Sequence, residues 1–208
     1  LIDDKLFVVL SLDKNATGPI KIWRLPSGVV SSSQSSLTSI YATIRPFMGI
    51  SPQDIDYVEQ LYTTEKILPS RTMVCINYIA LFRDIRWHKG AHQIGLFPVD
   101  KLPRVDKEEE QIIQYARDRL RSKTLYSTVL SFLIPRAFNL DTLQKGFEGI
   151  TGLSVDRRNF RKKITALEII KRVDDGNKSN KVSAHLYTFK SNELAIYDKP
   201  FILPREDR

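Results

Sequence analysis

The sequence predicts an α/β fold of the α+β class, in which a β-rich half precedes a mainly helical half. Short runs rich in Val, Ile, Tyr and Phe fill residues 1–104 and are separated by turn signals. From Asp106 onward apolar residues recur at helical spacing, until two strand-like runs close the pattern. The chain of 208 residues is long enough for one large domain or two small ones with a buried core.

The first half predicts five strands and one helix. The strands are KLFVVLSL, IKIWRL, DYVEQLYTT, RTMVCINYIALF and IGLFPV, with breaks at residues 15–19 and 68–70. A helix is predicted over residues 35–45, because apolar residues recur at helical spacing behind serines that suit a helix N-terminus. These apolar residues are Leu37, Ile40, Tyr41, Ile44 and Met48. Pro46 is expected to end or kink this helix near its last turn.

The second half predicts a helical unit with a terminal hairpin. Residues 105–124 favour a connecting helix, since their apolar residues share one face and acidic residues at the start suit the helix dipole. Residues 125–190 then contain three short helical segments, of which the first ends at Pro135 and the second at Gly152. Two strand-like runs around GNKSN follow and are typical of a β-hairpin. We expect a winged helix-turn-helix domain here, followed by a polar tail at residues 191–208.

The basic character of the chain is localised. Net charge is +8, and residues 151–190 hold ten Lys and Arg against four Asp and Glu, so this segment contributes +6. A local excess of positive charge is typical of proteins that bind polyanions such as nucleic acid.

The third helix of the winged unit, predicted over residues 156–170, is the candidate recognition helix. Phe160, Ile164 and Leu167 share one side and are expected to face the core. Arg can bridge guanine O6 and N7, Asn can read adenine, and Lys neutralises phosphate. The predicted DNA-contacting residues on the opposite side, its flanks and the wing turn are Arg157, Arg158, Asn159, Arg161, Lys162, Thr165, Lys178 and Lys181. A solvated basic helix that contacts nothing is the plainer alternative, but the single sign of charge from residue 157 to 163 favours DNA.

Residues 28–50 have the frame of a hydrolase motif without its acids. The pattern G-x5-E-x7-R-E-U-x-E-E-x-G-U, with U aliphatic, uses its glutamates to chelate the divalent cations that activate water. Its terminal glycines fall on Gly28 and Gly49. Its aliphatic positions fall on Ile44 and Ile50, and its charged positions fall on Gln34, Ala42, Thr43, Pro46 and Phe47. The sequence therefore predicts no catalytic residue and no metal ligand at this motif.

Flanking segments extend the likeness over nearly the whole chain. WRLPSG, VEQLYTTEKILPSRTMVCINYIALF and GLFPVDKLP are similar to the segments around the Nudix motif. DRRNFRKK at residues 156–163 and AHLYTF at residues 184–189 resemble the recognition helix and last wing strand of Nudix-related transcriptional regulators. The chain therefore resembles that family, with a degenerate Nudix box.

The resemblance implies a Nudix-like α/β/α sandwich followed by a winged helix-turn-helix domain. Residues 1–104 would form a non-catalytic sensor and dimerisation domain, whose first strand we expect to lie outside this sequence. It also implies a cytoplasmic homodimer that binds double-stranded DNA at a pseudo-palindromic operator. The effector implied is ADP-ribose or a sugar, with no cofactor. Apart from the resemblance, Arg24 and Arg71 are candidates to meet an anionic effector, although arginines on strands more often only cover a sheet edge.

Two other functions remain open from the sequence. One is a Nudix-type nucleotide-diphosphate hydrolase with unrecognised ligands, and the other is an RNA- or protein-binding adaptor on an inactive Nudix scaffold. A membrane role is not expected, because no apolar run approaches the ~20 residues that cross a bilayer. The single cysteine, Cys75, excludes an internal disulfide and favours a reducing compartment.

Overall fold

The computed structural model describes residues 1–2, 4–13, 19, 21–33, 35–48, 55–83, 94–173, 185–199 and 201. The chain forms two compact units. One comprises Phe7–Arg117, and the other comprises Leu1–Leu6 together with Asp118–Arg208. Among the described residues, no helix has both the length and the apolar character that a membrane span requires.

Strands dominate the first part of the chain and helices dominate the second, which confirms the predicted mixed α/β class. The elements in chain order are β1 (Phe7–Leu12), β2 (Trp23–Arg24), α1 (Ser36–Met48), β3 (Tyr57–Leu68), β4 (Arg71–Leu81), β5 (Ile94–Pro98), α2 (Lys107–Thr124), α3 (Leu140–Thr151), α4 (Arg157–Ala166), β6 (Ile170–Arg172) and β7 (Tyr187–Phe189). A 3₁₀ helix at Thr128–Phe132 lies between α2 and α3. It stands where the sequence predicts the first short helix of the winged unit.

The Phe7–Arg117 unit contains two antiparallel sheets. β1 pairs with β2 on one side and with β5 on the other, and Leu10 at the middle of β1 is fully buried. The rings of Trp23 and Phe97 meet edge to face across this sheet, with centroids 4.6 Å apart. β3 and β4 form a long hairpin closed at Pro69 and Ser70, where the sequence predicts a break.

Helix α1 begins as predicted, and Ile40 and Ile44 of its apolar stripe are half-buried. Ser35 caps it, since its Oγ accepts a hydrogen bond from the Thr38 amide at 3.1 Å. The helix continues two residues past Pro46, because only one hydrogen bond of its last turn needs the missing proline amide. Leu37, the first residue of this apolar stripe, is 45% exposed, whereas Ser39 is 6% exposed. Ser39 satisfies its buried hydroxyl by donating to the Ser35 carbonyl at 3.1 Å.

The other unit is built around an aromatic core. Four phenylalanines are buried there: Phe138, Phe147, Phe160 and Phe201. Val129 and Ile134 of the same unit are also buried. The 3₁₀ helix contributes five buried residues and begins at Ser127, whose Oγ donates to the Lys123 carbonyl at 2.8 Å.

Both chain ends belong to this second unit. The Leu1 backbone nitrogen lies 3.4 Å from the Leu133 carbonyl oxygen, and the Asp4 carboxylate lies 3.8 Å from the Lys145 ammonium group. At the other end, the amide of Thr128 donates to the Ala195 carbonyl at 2.9 Å. The described part of the segment that the sequence treats as a polar tail is therefore packed structure.

Candidate nucleic-acid interface

Helix α3 is capped at both ends by its own sequence. Asn139 caps its start, where Oδ1 accepts a hydrogen bond from the Thr142 amide at 2.8 Å. Gly152 ends it with φ of 68°, a left-handed conformation that glycine adopts without a steric penalty. The predicted end of this helix at Gly152 is confirmed.

The turn between α3 and α4 is fixed by side chains of α3. Gln144 Nε2 donates to the Val155 carbonyl at 2.9 Å, and the Val155 amide donates to Glu148 Oε1 at 2.9 Å. Asp156 then caps α4, because its Oδ1 accepts from the Asn159 amide at 2.8 Å. These contacts set the direction in which α4 leaves the turn.

Two apolar residues hold α4 from beneath. Phe160 and Ile164 are buried, and the Phe160 ring lies 5.6 Å from Phe147 and 5.3 Å from Phe201 between centroids. The predicted extension of the helix to residue 170 is wrong. Leu167 is the half-buried C-terminal cap, and Glu168 follows with φ of 51°, which α-helical backbone excludes.

Four of the predicted DNA-contacting residues form one free surface, which we call the outward arc: Arg158, Asn159, Lys162 and Thr165. All four are exposed. Their spacing places Arg158, Lys162 and Thr165 on the side of the helix away from Phe160, with Asn159 beside them. Within the described part of the chain, their side chains make no hydrogen bond or ion pair. The outward arc therefore presents two cationic groups, an amide and a hydroxyl to solvent.

Arg157 and Arg161 lie on one flank of α4 and share a carboxylate of α3. Arg157 Nη2 lies 2.8 Å from Asp141 Oδ2, and Arg161 Nη2 lies 2.9 Å from Asp141 Oδ1. The hydrogen bond from Arg161 holds the pKa of Asp141 below its usual range, with the charge of Arg157 acting in the same direction. No pattern in the sequence marks Asp141 as the partner of these two arginines.

The opposite flank of α4 contacts the C-terminal segment. Lys163 Nζ donates to the Phe201 carbonyl at 2.9 Å and lies 5.9 Å from the centre of the Phe201 ring. The Phe201 amide in turn donates to the Leu125 carbonyl at 2.6 Å. α4 is thus held beneath and on both flanks, while the outward arc stays free.

The predicted wing hairpin is present. β6 and β7 pair antiparallel, with Ile170 opposite Phe189 and Arg172 opposite Tyr187. Tyr187 also exchanges two backbone hydrogen bonds with Phe138, at 2.7 and 3.0 Å, which ties the wing to the start of α3. Lys178 and Lys181, predicted on the wing turn, lie outside the described residues.

The degenerate Nudix box is only partly described. A Cβ added at Gly28 would lie 2.1 Å from Thr43 Oγ1, so this glycine permits a close approach to α1. Ala42 is exposed. The described residues do not include Gln34, Gly49 and Ile50 of the box, nor the side chains of Pro46 and Phe47. His88 and His92, outside the box, are not included either. Among the residues that the structure does describe, no group of three or more His, Cys, Asp and Glu could hold a metal ion.

Arg24 is engaged by carboxylates and does not face an open anion site. Its Nε donates to Asp13 at 2.9 Å, its Nη1 contacts Asp106, and Glu109 Oε1 lies 3.7 Å from Nη1. The hydrogen bond to Asp13 raises the pKa of Arg24, while burial raises the pKa of Glu109. These acids would repel an anionic ligand, so the contacts of Arg24 do not favour a role in anion binding. Arg71 is exposed at the hairpin turn.

Comparison with known families places a DNA-binding domain over this surface. The model of the NrtR DNA-binding winged helix domain matches residues 130–189. The chain is 25% identical to the ADPR responsive transcriptional repressor NtrR of Acinetobacter baylyi, over 98% of this chain and 82% of that protein.

Solved structures share the fold across both units. Shewanella oneidensis NrtR is 23% identical, with a TM-score of 0.74 over 95% of this chain and 94% of that one. The same protein complexed with a 27mer DNA is 24% identical, with a TM-score of 0.72 over 91% and 89% of the chains. A MutT/nudix family protein from Enterococcus faecalis is 18% identical, with a TM-score of 0.65 over 90% and 82%. These matches confirm the Nudix-like and winged-helix folds. Together with the winged-helix match and the relative from Acinetobacter baylyi, they support the resemblance read from the sequence.

Proposed function

We propose that this chain, a Nudix-related transcriptional regulator, is a repressor that binds duplex DNA through α4 and senses a small ligand through its Nudix-like domain. The outward arc is the single observation that carries DNA binding, while repression and ligand sensing are proposed from the relative named for its response to ADPR. Its residues are exposed and have no partner in the described part of the chain, while Asp141, Phe160 and Phe201 hold the helix around them.

The chemistry of the outward arc suits the major groove. Arg158 can make a bidentate contact with guanine, and Asn159 can do so with adenine. Lys162 supplies a point charge for a phosphate, and Thr165 supplies a methyl group and a hydroxyl group for base edges. Arg158 and Asn159 stand in the first turn of α4, the part of a recognition helix that reaches base edges. We place Lys178 and Lys181 on phosphates beside the wing.

Following what the resemblance implies, we propose that the chain acts as a homodimer in the bacterial cytoplasm and reads two half-sites. Residues 1–104 would form the sensor and dimerisation domain, 105–124 the connecting helix and 125–190 the DNA-binding domain. A two-fold symmetric dimer requires half-sites separated by one helical turn or a multiple of it.

The effector is proposed from the name of one relative and from the composition of the Nudix box. The Acinetobacter baylyi relative is named for its response to ADPR. Loss of every glutamate from the Nudix box removes the usual magnesium ligands, which favours a domain that binds its ligand without hydrolysing it. ADP-ribose is therefore the first ligand to test, and free or phosphorylated sugars follow.

The direct test compares nucleic acids at one fixed salt concentration by fluorescence anisotropy of the full-length chain. Duplex DNA of mixed sequence, the matching single strands and an RNA of the same sequence serve as probes. Preferential binding to duplex DNA with a steep salt dependence is expected. Preference for RNA or single strands, or no binding to any probe, would support the adaptor alternative.

A further inference from the structure

Arg157 and Arg161 lie beside the outward arc, and both contact Asp141 of α3. We infer that Asp141 is a specificity-determining residue: it holds Arg157 and Arg161 and thereby limits their contacts with DNA phosphates of any sequence. This inference rests on the proposed function and concerns the same surface. It assigns a role in recognition to a carboxylate on α3, which itself carries no predicted DNA contact.

The geometry is that of one carboxylate shared by two arginines. Each oxygen of Asp141 accepts from a different guanidinium group, at 2.8 Å from Arg157 and 2.9 Å from Arg161. The two arginines are four residues apart, so they stand one above the other on the same flank of α4. The cluster therefore carries a net charge of +1 where the two arginines alone would carry +2.

These contacts are exchangeable. The side chains of Arg157, Arg161 and Asp141 are 62%, 42% and 48% exposed, so water and a DNA phosphate can reach all three. Ion pairs at such exposure are weak, because solvent screens them. A phosphate can therefore compete with Asp141 for each arginine. The contact with the carboxylate must be broken first, and this lowers the free energy gained from the phosphate contact.

The flank is separate from the outward arc. Relative to Phe160, Arg157 and Arg161 lie at about 60° and 100° around the helix, whereas Arg158 and Lys162 lie at about 160° and 200°. Asp141 thus partly neutralises the flank without touching the residues that we assign to base contacts. The side chains that we assign to base contacts remain free. The carboxylate of Asp141 reduces the attraction of the flank for DNA phosphates, which does not depend on sequence.

This arrangement has a thermodynamic consequence. Each phosphate that a cationic side chain neutralises adds a slope of about −0.9 to the dependence of log K on log salt, for any DNA sequence. Restraining two arginines lowers non-specific affinity, and specificity is the ratio of specific to non-specific affinity. Asp141 therefore raises that ratio.

The test compares Asp141→Asn with Glu193→Gln, which removes the same charge from an exposed site on the C-terminal segment. Binding is measured to the best duplex recovered by selection and to a duplex of shuffled sequence, across a salt series. For Asp141→Asn we expect about five- to tenfold tighter binding to the shuffled duplex at 0.1 M salt and a slope more negative by about 0.9 for each released arginine. The ratio of affinities for the two duplexes should fall. Glu193→Gln should show neither change.

A second test introduces Arg161→Ala into the wild type and into Asp141→Asn. It applies even if one of the single variants is unstable. Arg161→Ala should change the salt slope little in the presence of Asp141 and by about 0.9 in its absence. Equal effects in both backgrounds, or identical behaviour of Asp141→Asn and Glu193→Gln, would overturn the inference alone. Weaker binding of Asp141→Asn to both duplexes at unchanged slope would do the same. If the wild-type chain binds neither duplex, the proposed function itself fails.

Discussion

The side chain of Lys163 joins the recognition helix to the C-terminal segment: its Nζ lies 2.9 Å from the backbone carbonyl oxygen of Phe201. The same ammonium group lies 5.9 Å from the centre of the Phe201 ring. A residue that is distant in sequence therefore supports the helix that we assign to DNA recognition.

Phe201→Ala should destabilise the C-terminal unit. The Phe201 ring is buried against Phe147 and Phe160, both at 5.3 Å between centroids, so its loss leaves a cavity under α4. Removal of a buried Phe side chain costs about 3–5 kcal/mol of unfolding free energy. Urea unfolding followed by circular dichroism measures the change. Ile196→Ala, at an exposed position of the same segment, is the matched control and should cost little. Equal effects of both variants would show that Phe201 does not support α4.

Arg158→Ala and Lys162→Ala should weaken DNA binding in different ways. Loss of a bidentate guanine contact by Arg158 should cost roughly 1–3 kcal/mol and relax the preference for one base. Loss of a phosphate contact by Lys162 should weaken all duplexes and reduce the salt slope by about 0.9. Anisotropy titrations against the selected and shuffled duplexes separate the two effects. Lys101→Ala, an exposed lysine outside the winged helix, should behave as wild type.

The Asp141 carboxyl should titrate below the ordinary range of an aspartate. The hydrogen bond from Arg161 lowers this pKa in the folded chain. Because the folded pKa is lowered, the contact contributes stability above the unfolded pKa, and this contribution is lost as pH falls through the folded pKa. Carboxyl NMR titration of the wild type and of Arg161→Ala measures it. The pKa should move upward in the variant, and an unchanged value would mean that the pair does not form in solution.

Gly152→Ala should strain the turn between α3 and α4. The φ of 68° disfavours any residue with a Cβ, although no atom lies within 4 Å of an added Cβ. The expected cost is backbone strain of about 1 kcal/mol of unfolding free energy. Gly152→Asn should cost less, since asparagine tolerates the left-handed region better. Thermal unfolding of the three chains tests this order.

Hydrolysis of ADP-ribose should stay at the level of a protein-free blank. The Nudix box offers no acid at its metal positions, so neither magnesium nor manganese should restore activity. A coupled phosphate-release assay on purified protein checks this expectation. Metal-dependent turnover would favour the hydrolase alternative. Ligand binding, measured separately by calorimetry, is expected to survive, because sensing needs no hydrolysis.

Local signals explain what the sequence predicted well. α3 and the part of α4 before its end follow from apolar periodicity, and Gly152 marks the end of α3 within a few residues along the chain. The same holds for the β3–β4 turn at Pro69 and Ser70. These elements depend on short-range chemistry, so one sequence suffices to place them.

The misses depend on long-range packing. Asp141 meets Arg157 and Arg161 only because α3 and α4 pack together, and Phe201 reaches the core from a segment with no periodic pattern. At the start of α1, Ser39 is buried while Leu37 is exposed, which the apolar spacing does not predict. No spacing in the sequence distinguishes these arrangements from their alternatives.

Selection of bound sequences from a random duplex library tests the central claim most directly, with the full-length wild type and Arg158→Ala run in parallel. We expect the wild type to enrich a two-fold symmetric consensus with half-sites one helical turn or a multiple apart, and Arg158→Ala to lose preference at defined positions of each half-site. No enrichment by the wild type, or the same consensus from both proteins, would contradict recognition of DNA through the outward arc of α4.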